Sequence, residues 1–295
     1  MARLMECVPN FSEGRDAAKS AAIRDAIAAV EGVRILRYEA DPDHNRAVIT
    51  YAGLPESVVE AAFRGISKAA ALIDLREHRG VHPRIGAADV VPLVPLRGLE
   101  LAECAEMAHG LGQRVWSELG VPVYFYEAAA TAPERAPLEN VRRGGFPTPK
   151  LLPDLGGPAL HPSAGGCIIG ARRLLIAFNV DLDTADVATA REIARKVRAS
   201  AGGLRFLKAI GVKLDSRNQA QIAMNLTEFE QTGLFQVFET VRAEAAALGV
   251  SITNTEIIGL VPRKSLESVA ANYLKIENFR SALVLENRLD EEFGG

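Results

Sequence analysis

The sequence predicts an α/β chain built as two α+β two-layer sandwiches, and three observations carry that prediction. At 295 residues, 48% of them hydrophobic and 24% charged, the chain is long enough for two domains of about 150 residues. Short β-rich runs alternate along it with runs of helical period. The order strand, helix, strand, strand, helix, strand occurs twice, on either side of a stretch at 132–166 that holds seven of the 15 prolines. That order is the one of a ferredoxin-like split βαβ unit. In this reading residues 1–172 form one subdomain, with the Pro/Gly-rich loop at 132–166, and residues 173–295 form the other. The two enclose a cleft that the loop covers, an inter-domain linker being the alternative.

Each element has its own signal. Residues 4–8 read as a short strand stopped by Pro9 and the turn-prone NFSEG. Ala22, Ile23, Ala26, Ile27 and Val30 recur at helical spacing and Gly32 ends that helix. Strands follow at 33–39 and 46–51 around the turn DPDHN. Pro55 opens a helix striped by Val58, Val59, Ala62, Phe63, Ile66, Ala70 and Ile73. A buried strand is expected at 88–96, a helix at 100–119 and a strand at 121–126. In the second half the strands fall at 174–182, 204–214, 219–227 and 250–261. The helices fall at 184–199, 231–248 and 264–274, the first begun by Asp183-Thr184.

Composition excludes several classes. A net charge of −3 argues against a general nucleic-acid binder. The start, MARLMECVPNFSEG, has no apolar run of a leader, and no apolar segment of about 18 residues occurs, so neither a leader nor a membrane span is expected. Cys7, Cys104 and Cys167 are odd in number and scattered, which fits a reducing cytoplasm.

The chemistry concentrates in DLREHRGVHPRIGAADVVPLVPLRG, residues 74–98. His78 and His82 stand there among Arg76, Arg79 and Arg84, with Glu77 and Asp89 as acids, a composition suited to an anion. Pro83 holds His82 in extended backbone outside any helix. His82 reads as a proton-transfer group or as a surface histidine bonded to a carbonyl. His78 is assigned to the end of the preceding helix, where a cation suits the dipole. Gly80 and Pro83 break the helix that an i,i+4 metal pair would need, so no metal is expected. His44 is explained by its turn and His109 by a helix surface, while His161 sits in the long loop. Asn45-Arg46 reads as a substrate-gripping pair or an exposed turn. Gly165-Gly166 to Gly170 could offer backbone N–H groups to an anion, although the spacing matches no phosphate motif. Lys208, Gln221 and Asn225 lie on the paired strands of the second half.

Longer motifs carry a resemblance: ECVPNFSEG at 6–14, Asn45-Arg46, LID at 72–74, HPRIGA at 82–87, Asp89-Val90, PLRG at 95–98, VPVY at 121–124, GAR at 170–172, LIAFN at 175–179 and GLVP at 259–262. With these the chain resembles the monofunctional form of the formiminotransferase-cyclodeaminase family, the folate-dependent transferases of histidine breakdown. The resemblance implies two α/β subdomains around a tetrahydrofolate cleft and a cytoplasmic homodimer with small-molecule substrates. It implies transfer of a formimino group from N-formimino-L-glutamate to N5 of tetrahydrofolate as co-substrate. The family's acid–base histidine falls on His82. Its acidic partner falls on Glu39, where aspartate is usual. Its folate loop falls on 156–165, with Pro162, Ser163 and Gly165 retained and Ala164 in place of a vertebrate tryptophan. Arg46, Arg84 and Lys208 would pair with glutamate and folate carboxylates, beside Asn45. The cyclodeaminase domain of the vertebrate enzymes has no room in this chain. The rival readings are a formiminotransferase acting on another amino acid such as glycine, and a non-catalytic folate-binding protein.

Overall fold

The computed structural model of the protein describes residues 3–42, 44–79 and 84–293, the last three for their backbone alone. The chain separates into two compact units, residues 1–174 and 175–295. In the first, β1 (Leu4–Cys7), β2 (Asn10–Phe11), α1 (Ala17–Ala28), β3 (Val33–Asp41), β4 (Arg46–Gly53), α2 (Pro55–Leu72), β5 (Ala88–Arg97), α3 (Leu101–Leu119) and β6 (Val123–Glu127) follow one another. A 3-10 turn (Pro133–Arg135), the short helix α4 (Leu138–Val141) and a last strand, β7 (Cys167–Ala171), complete it.

These elements start and stop where the side chains dictate. The Asp16 carboxylate accepts from the Ala18 and Lys19 amides at the head of α1. Pro55 occupies the first turn of α2. Glu100 and Glu103 form a reciprocal capping box on α3, which ends on Gly120 in the left-handed region at φ 64°.

The resulting sheet has seven strands. β3 borders β4, the broken strand β1/β2 lies between β4 and β5 with antiparallel pairing on both sides, and β7 joins β5 and β6 in parallel. Two of these strands depart from the sequence reading. Asn10-Phe11, expected in a turn, pairs with Val48-Ala47 and with Val90 and Ala88. Of the stretch 165–170, read as able to offer amides to an anion, 167–170 lie in β7, buried at every position between β5 and β6. The Gly165 amide donates to His161 O and the Gly166 amide to Ile85 O, so the anion-loop reading is corrected.

The core explains the rest. Ile23 and Ile27 of α1, Val58 and Ile66 of α2 and Leu111 and Val115 of α3 pack on Met5, Phe11, Ile49, Val91, Leu93 and Ile169 on one sheet face. On the other face Val141, joined by Leu138, Leu151 and Leu160, packs on Ile85, Val90, Tyr124, Tyr126 and Ile168. The Pro/Gly-rich stretch therefore returns to the sheet it left, and the linker alternative is excluded.

The second unit contains β8 (Ile176–Leu182), α5 (Val187–Val197), β9 (Leu207–Leu214), β10 (Gln219–Leu226), α6 (Leu234–Ala247), β11 (Ile252–Ile258), α7 (Arg263–Leu274) and α8 (Leu285–Phe293). Its antiparallel sheet runs β11–β8–β10–β9. Ile193 and Val197 of α5 and Val237 and Val241 of α6 cover Val180, Ile222 and Met224 on one face. α5 begins at Val187, capped by Asp186 through the Ala188 amide, and not at Asp183-Thr184. Asp183 instead accepts from the Ser251 amide. Two α+β units with sheets and packed helices match the predicted class. Among the described residues no helix is long and apolar enough to cross a membrane.

Two glycines of α3 give a direct test of this packing. Gly110 has nothing within 4 Å of an added Cβ, whereas at Gly112 that atom would lie 2.5 Å from the Phe125 ring. Helix propensity alone favours alanine at both by about 1 kcal/mol. Urea unfolding should show Gly110→Ala gaining up to that amount. Gly112→Ala should lose about 1–3 kcal/mol because overpacking outweighs propensity.

Candidate functional site

Asp89 sits at the start of β5 and is 3% exposed. A buried carboxylate is costly unless donors meet it, and three do. Oδ1 accepts from the amides of Ile85 at 2.6 Å and Gly86 at 3.3 Å, and Oδ2 accepts from Arg142 Nη2 at 2.6 Å. The segment just before the strand is thereby folded against it. Ser12 fastens it from the other side, its hydroxyl donating to Gly86 O at 2.7 Å and its amide to Ala87 O at 2.8 Å.

Residues 161–166 lie across this segment as a strap. Leu75 N donates to Ser163 O at 2.9 Å, Ala87 N to Ala164 O at 2.8 Å and Gly166 N to Ile85 O at 3.1 Å. The two backbones meet at glycines because nothing else fits. An added Cβ would lie 1.7 Å from Gly166 O at Gly86, and 2.1 Å from Ile85 O at Gly165, whose φ is +72°. His161 stiffens the turn, its Nδ1 accepting from the Ala164 amide at 3.0 Å.

Beside Asp89 is a hollow of about 10 Å³ lined by Asn10, Phe11, Ser12, His44, Asn45, Arg46, Arg84 and Asp89. That is room for one water or one carboxylate oxygen, not a whole ligand. Asn45, in the left-handed region at φ +47°, accepts from Gly14 N and donates to Arg79 O, both at 2.9 Å. Gly14 must be glycine, since a Cβ there would come 2.3 Å from Asp41 O. His44 Nδ1 is paired with Asp41 Oδ2 at 2.6 Å.

Charge is concentrated here. Burial lowers the pKa of Arg46, the charge of Arg142 adds to that, and Asp41, Asp89 and Glu39 oppose it. Burial likewise lowers Arg84, where Asp89 opposes while Arg15 and Arg142 add. Arginine keeps its proton in proteins, so Arg46 and Arg84 bring two guanidinium groups to the lining of the hollow, beside the Asp89 carboxylate.

Of the residues predicted from sequence, His82 and Pro83 lie outside the described residues. Glu39 is on β3 opposite Val48, and its Oε1 accepts from Arg37 Nη2 at 2.6 Å. Asn45, Arg46 and Arg84 are brought together at the hollow, although Asn45 gives much of its amide to holding backbone. Pro162 is exposed and Ser163 half-buried. Ala164 is 2% exposed and part of the core. Its side chain faces inward and its backbone groups are engaged, so it holds the strap and presents no stacking surface. Lys208 is on β9 of the second unit, opposite Asn225.

His78 requires a correction: α2 ends at Leu72, too far back for a dipole contact. Its ring instead lies between Asn45 O, 3.1 Å from Nε2, and the Arg84 guanidinium, where it ties this segment together. His109 is exposed, as expected, with Nε2 donating to Ala129 O at 2.8 Å. Sequence reasoning missed Arg142, the anchoring role of Asp89 and the Asp41–His44 pair. Only the last had a local signal, the i,i+3 spacing inside DPDHN. Among the described residues no group of three or more His, Cys, Asp or Glu is placed to hold a metal ion.

The N-terminal subdomain model of the formiminotransferase domain matches residues 4–172, and the formiminotransferase domain model matches residues 177–289. The chain belongs to the formiminotransferase family. A glutamate formimidoyltransferase of Thermoplasma acidophilum is 46% identical over 297 residues, covering 98% of each chain. The glutamate formimidoyltransferase of Streptococcus pyogenes serotype M1 is 43% identical, covering 98% of this chain and 99% of its own. The formimidoyltransferase-cyclodeaminase of Sus scrofa is 42% identical over 94% of this chain, which spans 54% of that relative's length. The residues described above thus stand in a chain of the formiminotransferase family, a family of transferases acting on small molecules.

The strap makes one prediction. Gly86→Ala should lose at least about 2 kcal/mol in urea unfolding, since backbone rather than a flexible side chain must yield. A loss below about 0.5 kcal/mol would contradict the close approach at Gly166.

Proposed function

We infer that the protein transfers the formimino group of N-formimino-L-glutamate to N5 of tetrahydrofolate, giving 5-formiminotetrahydrofolate and glutamate. The observation that carries this is the 43–46% identity to two glutamate formimidoyltransferases over nearly the whole chain. Tetrahydrofolate is the co-substrate in this reading, and a cytoplasmic homodimer is its proposed setting.

The chemistry is a transfer between two nitrogens. N5 attacks the amidine carbon and forms a C–N bond, giving a tetrahedral intermediate. The bond from that carbon to the glutamate nitrogen then breaks. One proton leaves N5 and one reaches the departing nitrogen, so the step is balanced without an outside reagent. We assign the shuttle to His82, which the family motif HPRIGA identifies, with Glu39 as its acidic partner. Such a group typically contributes on the order of 10² to 10⁴ in rate.

Arg46 and Arg84 hold a carboxylate in this proposal, supported by their position at the hollow beside Asp89. Asn45 is proposed to set the hollow's edge. Pro162, Ser163, Ala164 and Gly165 form the folate-binding strap, Ala164 through its backbone position. Lys208 is assigned to a folate or glutamate carboxylate on the resemblance.

The deciding assay supplies tetrahydrofolate and N-formimino-glutamate and follows glutamate release against 5-formiminotetrahydrofolate formed. Equal yields are expected, and folate binding without product would instead support a folate-binding protein. His82→Ala should keep folate affinity and lose at least about 10²-fold in kcat. Wild-type turnover in that variant would overturn the assignment. Arg84→Ala should chiefly raise KM for the formimino donor, and an effect on thermal stability alone would make it structural.

A further inference from the structure

Two protons move in the proposed transfer, and the hollow offers a second imidazole for them. His44, which its turn alone explained from sequence, lines that hollow together with Asn45, Arg46, Arg84 and Asp89. Asp41 holds it at both ends of its carboxylate. Oδ2 lies 2.6 Å from the ring Nδ1, and Oδ1 accepts from the His44 amide at 3.0 Å. The His44 side chain is 14% exposed and that of Asp41 42% exposed, so the imidazole is the inner member of the pair. An ionised carboxylate only accepts, so Nδ1 carries the proton between them. That leaves Nε2 as the nitrogen that exchanges a proton with a reacting group, and the acid stabilises the ring when it is charged. A turn requires no such ring contact, because the amide bond to Asp41 already closes it.

The chemistry of the donor brings this ring close to a reacting atom. In an N-formimino-amino acid the formimino group sits on the α-nitrogen, two bonds from the α-carboxylate carbon. The hollow, at about 10 Å³, has room for one carboxylate oxygen. An α-carboxylate oxygen placed there beside Arg46 and Arg84 holds the α-nitrogen at the mouth of the hollow, within reach of a ring in its lining.

We propose that the donor's α-carboxylate enters the hollow and that His44, held by Asp41, delivers the proton to the departing glutamate nitrogen, while His82 removes the one on N5. This rests on the formiminotransferase reading. The bond from N5 to the amidine carbon forms as His82 takes the N5 proton. The bond from that carbon to the glutamate nitrogen breaks as His44 Nε2 gives up its proton. After release His82 passes its proton to water and His44 regains one from water, so no other reagent is consumed. Dividing the roles spares a single ring from serving both nitrogens of one tetrahedral carbon.

The test measures kcat, KM for N-formimino-glutamate and the dissociation constant of tetrahydrofolate in His44→Asn and His44→Gln. Asparagine keeps a donor for Asp41 in the place of Nδ1, glutamine keeps a polar group in the place of Nε2, and neither releases a proton. In both variants kcat should fall at least about 10²-fold, with KM and the dissociation constant within about twofold. The fall in kcat should shrink with N-formimino-4,4-difluoroglutamate, because a less basic nitrogen departs with less help from an acid. Either variant decides alone. Wild-type kcat, a loss confined to KM, or equal falls for the two donors overturns the assignment and leaves His44 a turn residue. Wild-type protein that transfers from neither donor overturns the formiminotransferase reading itself, and this inference with it.

Discussion

A carboxylate buried at the start of a central strand must have its oxygens met by donors, and Asp89 meets that demand by reaching backward along its own chain and across to a helix. The amides of Ile85 and Gly86 are drawn to one oxygen and Arg142 to the other. The first pair fixes the backbone that follows the proposed catalytic histidine. The second fastens the Pro/Gly-rich stretch to the sheet. Because Gly86 is then in place, the glycines of the strap can lie against it, and Ala87 can complete its bond to Ala164. Removing the carboxylate would therefore loosen groups that are close in space but far apart in sequence, as Ile85 and Gly166 are.

The same carboxylate organises the charge. Arg46, Arg84 and Arg142 would repel one another in an empty apolar setting. Around a shared acid they are held half-buried, with Asp41 and Glu39 opposing from β3 on Arg46's side. In the proposed reading, an arrangement of this kind favours an anion before any substrate is present, because the cost of gathering the charges is already met in the folded state. The ring of His78 lies between Arg84 and Asn45 O and links the two.

The sequence made most of this fold legible. Helical stripes on α2 and the alternation in β8 and β10 are strong local signals, and the element order of the second unit follows from them. β7 escaped because five apolar residues following paired glycines give no period, and a strand buried on both faces shows none. The site was legible where the motif is contiguous, as with Arg84 and Asn45-Arg46. Arg142 was not, for its meaning arises from a contact 53 residues away with Asp89. The inward side chain of Ala164 was hidden for the same reason, since only the packing reveals that it faces the core.

In this view Asp89, the segment just before it and the strap form one cooperative unit. Native-state hydrogen exchange on the wild type and on Asp89→Ala checks this. The amides of Leu75, Ile85, Gly86, Ala87 and Gly166 should lose protection together in the variant, while the α3 amides around Leu111 keep theirs. Faster exchange confined to Ile85 and Gly86, the two amides bonded to the carboxylate, would contradict it.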